Sequence, residues 1–180
     1  MPEPNQATMK RTVITFGAIA GIIVSAMLFI TMTEDLMGNE YGEWIGYSTM
    51  IIAFVTIFFA VRTYRDKYNH GVIKFGKAFL IGLYITLIAS TLYVASWMVI
   101  SNTYGRNYMD QYYNNAIEEI RKSDLPQIEI DQQVESMEQF KQMYKNPFIK
   151  IAVTYMEILP VGLLISLISA GLLQKRISTA

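Results

Sequence analysis

Residues 13–32 read VITFGAIAGIIVSAMLFITM, twenty positions without one charged side chain. An α-helix rises about 1.5 Å per residue and a bilayer's hydrocarbon core is about 30 Å thick, so about 20 apolar residues cross it. Three more blocks of this kind follow, at Ile45–Val61, Ala78–Ile100 and Phe148–Leu173. The second is only just long enough, and the last has length to spare for tilt. Charged residues make up 17% of the 180-residue chain and hydrophobic ones 52%. The informative feature is segregation, because the stretches between the blocks are polar. The expected fold is therefore all-α: an integral membrane four-helix bundle forming a single membrane domain over 1–180, with a polar insert over 101–147.

The first block resembles a signal sequence in position, but it is long and no A-x-A-like site follows it. Gly17, Gly21 and Ser25 recur at four-residue spacing, a small-residue stripe that lets another helix approach closely. A cleaved peptide has no use for such a stripe, so the block reads as retained.

Orientation follows from Lys and Arg. With the N-terminus inside, the segments 1–12, 62–77 and 174–180 carry nine basic residues against Glu3 and Asp66. The segments 33–44 and 101–147 carry five basic and twelve acidic residues; Glu34, Asp35, Glu40 and Glu43 of the first have no basic neighbour. Both termini are expected in the cytoplasm. Tyr41, Trp44, Tyr47, Trp97 and Tyr104 fall where spans meet the outer interface, and Tyr64 and Tyr68 beyond the inner end of the second span, as an aromatic belt would.

The insert is patterned. Met109, Tyr113, Ala116, Ile117 and Ile120 follow helical spacing, Pro126 interrupts, and Val134, Met137, Phe140 and Tyr144 recur in a second polar helix ended by Asn146-Pro147. The expected product is a helical hairpin outside the membrane. It serves either as a cap on the bundle or as a docking surface for an envelope protein partner.

The runs GYSTMIIAFVTIFFAVRTYRD (46–66), GVIKFGKAFLIGLYITLIAS (71–90) and YKNPFIKIAVTYMEILPVGLLISLISA (144–170) resemble family 4199 of the domains of unknown function. The segment around Glu157, Pro160, Val161 and Gly162 is the most specific part. The resemblance implies small bacterial membrane proteins with four helices and a polar insert before the last. It also implies inner-membrane placement, with loop 101–147 periplasmic. It implies no activity.

Glu157 is the one acidic residue within the spans, roughly 13 Å below the outer end of the last by helical rise. A carboxyl at that depth is expected to face the bundle, neutral or paired. Lys150 has a stem long enough to carry its ammonium outward instead of down to Glu157. Pro160 frees a carbonyl in the preceding turn, and an acid beside a broken helix is how ion and proton sites are often built. The other reading is a hydrogen-bonded carboxyl that holds helix register.

The third span carries a stripe of Gly82, Thr86, Ser90, Tyr93 and Trp97, and the second a small face of Thr49, Ala53, Thr56 and Ala60. Such stripes are usually packing seams with hydroxyls satisfied across helices. In a polar path instead, Thr86 and Ser90 would be the partners of Glu157. The loop RTYRDKYNHGVIKFGK (62–77) is basic, with a turn at Asn69-His70-Gly71 and an interfacial lead from Gly71 to Lys77. Its charge signals topology first, with attraction to anionic lipid headgroups as an addition. Phe16-Gly17 and Phe75-Gly76 each open a span, a weak hint of duplication.

The chain has no cysteine, and His70 is its sole histidine. Disulfides, thiolate sites and histidine-clustered metal or haem sites are thereby excluded. With no hydrolase triad or phosphate loop either, neither a cofactor nor an enzyme is expected, and so short a basic patch makes no case for nucleic acid. Two function classes remain. One is a non-enzymatic inner-membrane scaffold whose hairpin binds an envelope component. The other is a small ion- or proton-coupled transporter or channel centred on Glu157, which with four spans implies a homo-oligomer.

Overall fold

The computed structural model describes residues 6–33, 40–103 and 106–175, with side chains described throughout these except at 33, 40–43 and 106–108. Glu3, Glu34, Asp35, Tyr104 and Arg176, and the side chains of Glu40, Tyr41 and Glu43, lie outside the described residues. Six α-helices follow in order: α1 Gln6–Thr33, α2 Glu40–Thr63, α3 Phe75–Thr103, α4 Arg106–Lys122, α5 Gln127–Met143 and α6 Pro147–Leu173. A single π-helical turn, Tyr64–Tyr68, continues α2. No strand occurs among the described residues. Four helices, Gln6–Met32, Trp44–Tyr68, Phe75–Thr103 and Pro147–Leu173, are long and apolar enough to cross a membrane.

The chain forms two compact units, Met1–Ala95 with Tyr155–Ala180, and Ser96–Thr154. In the first, the core sets small residues among large ones such as Phe54, Ile57, Ile81, Ile85 and Ile158, all fully buried. Ala20, Ala53, Ala60, Ala78, Ala89 and Ala170 are fully enclosed, while Ile14, Ile22, Ile52 and Leu172 project outward with more than half of their surface uncovered. Lipid is as apolar as leucine, so burying large side chains gives little between membrane helices, and close backbone approach decides the packing.

The glycines show that approach. A methyl added at Gly17 would lie 2.9 Å from the Ile88 Cβ, and one at Gly21 would lie 2.5 Å from the Leu92 Cδ1. One at Gly82 would lie 2.6 Å from the Ser166 Oγ, and one at Gly162 would collide with Thr86. Thus α1 and α6 each lean on α3 through glycine. Gly76, by contrast, has open space around it, so the two Phe-Gly pairs of the sequence have unlike surroundings.

The end of α2 is tied back to α6. Ile73 and Lys175 exchange both backbone hydrogen bonds, at 3.0 and 2.9 Å, as an isolated antiparallel bridge. The Arg65 guanidinium donates to the Leu173 carbonyl at 3.3 Å. The turn expected at Asn69-His70-Gly71 is present, with φ of 54° at His70 and 77° at Gly71, and the Asn69 side-chain amide donates to the Val72 carbonyl. Ile73 is buried, and Tyr64 beneath it in sequence carries Lys77 over its ring, 5.6 Å from the centroid. The stretch expected as an interfacial lead is therefore anchored by backbone pairing.

The second unit holds the hairpin. Pro126 (φ −56°, ψ 141°) starts α5, and its carbonyl accepts from the Glu129 and Ile130 amides at 2.9 and 3.1 Å. Tyr113, Ile117, Ile130 and Tyr144 are buried. The rings of Tyr113, Phe140 and Tyr144 meet at centroid distances of 5.8 to 6.3 Å, edge and tilted contacts that aromatic quadrupoles favour. Burial pushes the Tyr113 phenol pKa well above its ordinary value.

Candidate functional site

Glu157 lies ten residues after the start of α6, in a helix that stays helical through Pro160. The break expected at Pro160 is absent, because a proline ring tolerates helical φ and removes one bond rather than a turn. That missing N–H is the donor the Met156 carbonyl would otherwise use. Glu157 itself is exposed on the surface of the unit, where a carboxyl was expected to turn inward. The buried face of α6 follows Thr154, Ile158, Gly162, Ser166 and Ser169. Position 157 is one residue, about 100° of helix, away from it. Its Oε1 accepts from the Tyr93 hydroxyl at 3.4 Å, the long end of the hydrogen-bond range.

Thr86 and Ser90 do not join it. The Thr86 and Ser166 hydroxyls lie 3.3 Å apart in the core, and Ser166 also donates to the Gly162 carbonyl at 2.7 Å. Ser90 is fully buried, and its hydroxyl, like that of Ser25, has no hydrogen-bond partner among the described residues. The expected grouping of Glu157, Pro160, Thr86 and Ser90 thus separates into a surface carboxyl with Pro160 on one side and buried hydroxyls on the other. On α2, Thr49 and Thr56 donate to carbonyls of their own helix, Ile45 at 2.8 Å and Ala53 at 2.6 Å. Back-bonding satisfies a threonine locally, so those hydroxyls need nothing across the bundle.

Tyr93 is the residue whose role the stripe concealed. It shares the buried face of α3 with Gly82 and Thr86. Its ring is long enough to carry its hydroxyl to the carboxyl, where the shorter Ser90 and Thr86 end inside. On the other flank, Tyr155 and Thr91 pair at 2.9 Å.

Lys150 turns outward. Its Nζ donates to the Ser101 hydroxyl at 3.2 Å and lies 5.6 Å over the Tyr144 ring. Trp97, expected in an interfacial belt, is buried and donates from Nε1 to the Tyr144 hydroxyl at 2.8 Å. Trp44 and Tyr47 are exposed. Lys141 on α5 pairs with Asp110 of α4 at 3.3 Å and donates to Asn114 at 3.2 Å.

The hairpin leaves a cleft of about 450 Å³ on α5, floored by Ile130 and Val134 and rimmed by Asp131, Glu135, Glu138 and Arg121. At its turn Leu125 is 39% exposed and Ile128 73%. No group of three or more metal-ligating side chains occurs among the described residues.

Residues 15–175 match the family described as protein of unknown function, DUF4199. The chain belongs to this family. No curated protein and no solved structure matches it. Membership of DUF4199 brings no activity, and four membrane-length helices fit an integral membrane protein.

Proposed function

We propose that the chain is a non-enzymatic, multi-pass protein of the bacterial inner membrane whose hairpin engages another envelope component. In this reading both termini are cytoplasmic and loop 101–147 is periplasmic. The distribution of Lys and Arg supports that orientation.

One observation carries the partner reading. The hairpin has its own aromatic core and yet leaves Ile128, beside Leu125 and Pro126, projecting at its turn. A hairpin that only capped its own bundle would gain nothing from apolar side chains at the tip. The acidic rim around Ile130 and Val134 suits a partner segment that is basic and amphipathic.

A photo-crosslinking residue placed at Ile128 in cells tests this. One discrete heavier adduct is expected there, and none from Gln139 on the same helix. An adduct-free Ile128 would remove the partner reading and leave the hairpin a self-contained cap.

A further inference from the structure

Two polar needs meet at one place on the outer face of α6. The Glu157 carboxyl is exposed, and its only hydrogen bond among the described residues is the 3.4 Å contact from Tyr93. Three residues later, Pro160 supplies no N–H to the carbonyl of Met156, the residue just before Glu157. The side chains around them are apolar and uncovered: Met156 is 78% exposed and Leu164 58%. Hydrocarbon offers neither a donor nor an acceptor, and each unsatisfied group in it is costly.

The geometry points to self-association of the chain through this face, with Glu157 of each copy completing the other's site. A neutral carboxyl has one O–H to give and one carbonyl oxygen to receive with. The Met156 carbonyl lacks the donor that residue 160 of a regular helix would supply. Each copy therefore presents both the need and its complement, which is what an interface repeated by a twofold axis requires. Copies inserted with the same orientation must be related about the membrane normal. Like residues near the axis then meet, with Glu157 opposite Glu157 or the neighbouring Met156 carbonyl, and Leu164 opposite Leu164. The argument rests on α6 and is independent of what the hairpin binds.

The cysteine-free chain makes the test direct. Met156→Cys and Leu164→Cys, each as the single cysteine, are oxidised in purified proteoliposomes and in native membranes. Ile22→Cys and Ile52→Cys, on the exposed sides of α1 and α2, serve as controls. A disulfide needs Cα atoms within about 7 Å, so dimer yields several-fold above both controls are expected at 156 and 164. Adding Glu157→Leu should return the yield to the control level, whereas Glu157→Gln, which keeps a donor and an acceptor, should retain most of it. Equal yields at all four positions would overturn the proposal and leave lipid covering the face. So would a heterologous adduct in native membranes without a dimer in proteoliposomes. A dimer indifferent to Glu157→Leu in a chain that still elutes as folded would remove the carboxyl from the argument.

Discussion

The bundle and the hairpin are made by the same polypeptide under opposite rules. In the hairpin, Tyr113, Ile117, Ile130 and Tyr144 go inward and the charged residues stay out, as water demands. In the bundle large apolar side chains point both ways, Phe54, Ile57, Ile81 and Ile158 inward and Ile14, Ile22 and Leu172 outward, with alanine, glycine and serine where helices come closest. Polar groups divide the same way. The hairpin joins its helices through side chains, with Lys141 reaching from α5 to Asp110 and Asn114 of α4. The bundle mostly returns threonine hydroxyls to their own helix, with Thr86–Ser166 and Thr91–Tyr155 as crossings. The lesson is that a membrane helix hides its inward face from composition, whereas a soluble one advertises it.

The most drastic way to break the contrast is to show that both regions meet the same solvent. With Ser123→Cys and Asn69→Cys as single cysteines in intact spheroplasts, an impermeant thiol reagent should label the first and spare the second. Labelling of Asn69→Cys would invert the proposed topology.

Next comes loss of the hairpin's large aromatic. Tyr113→Ala should cost about 3 kcal/mol of that unit's stability, seen as a lower unfolding midpoint in detergent. A midpoint within error of the parent would mean the ring cluster does not hold the hairpin.

The bundle's counterpart goes the other way, by adding atoms. Gly21→Leu drives a side chain into Leu92 and should destabilise by roughly 1–3 kcal/mol. Ile22→Leu, on the uncovered side, should be nearly silent. Equal midpoints for these two would end the claim that close approach, not bulk, sets the packing.

The smallest effect sharpens the comparison. Lys141→Gln removes an ion pair whose Asp110 side chain is 65% exposed, so a loss of about 0.5 kcal/mol, shrinking with added salt, is expected. A larger, salt-independent loss would show that the pair is structural.

The spans and the hairpin were legible because each rests on periodicity or length. Helical spacing alone places Tyr113 with Ile117 and Phe140 with Tyr144. The glycines at 17, 21 and 82 were legible as small positions, though not the residues they would face. Glu157 shows where reading stopped. Its depth follows from counting, but α6 is apolar on every side, so no pattern says which way position 157 turns. The expectation of an inward carboxyl came from cost alone. The long reach of Tyr93 emerges only when α3 and α6 are paired antiparallel through Gly82–Ser166 and Thr86–Gly162. The helix through Pro160 was misread as broken because a lost hydrogen bond was equated with a lost turn.

The bridge between Ile73 and Lys175 left no trace in the side chains, since backbone atoms alone make it. It closes a loop of about a hundred residues. A pull applied beyond Lys175 would not begin by peeling α6 from its C-terminal end. The load would pass sideways into the loop before α3 and through Arg65 into the π-helical turn, so that three segments bear it together. Two hydrogen bonds sheared in parallel resist force better than two opened one after another. In a force-extension trace, extraction from this end should therefore start with a sharper first rupture than a lone α6 would give, and Arg65→Gln should blunt it.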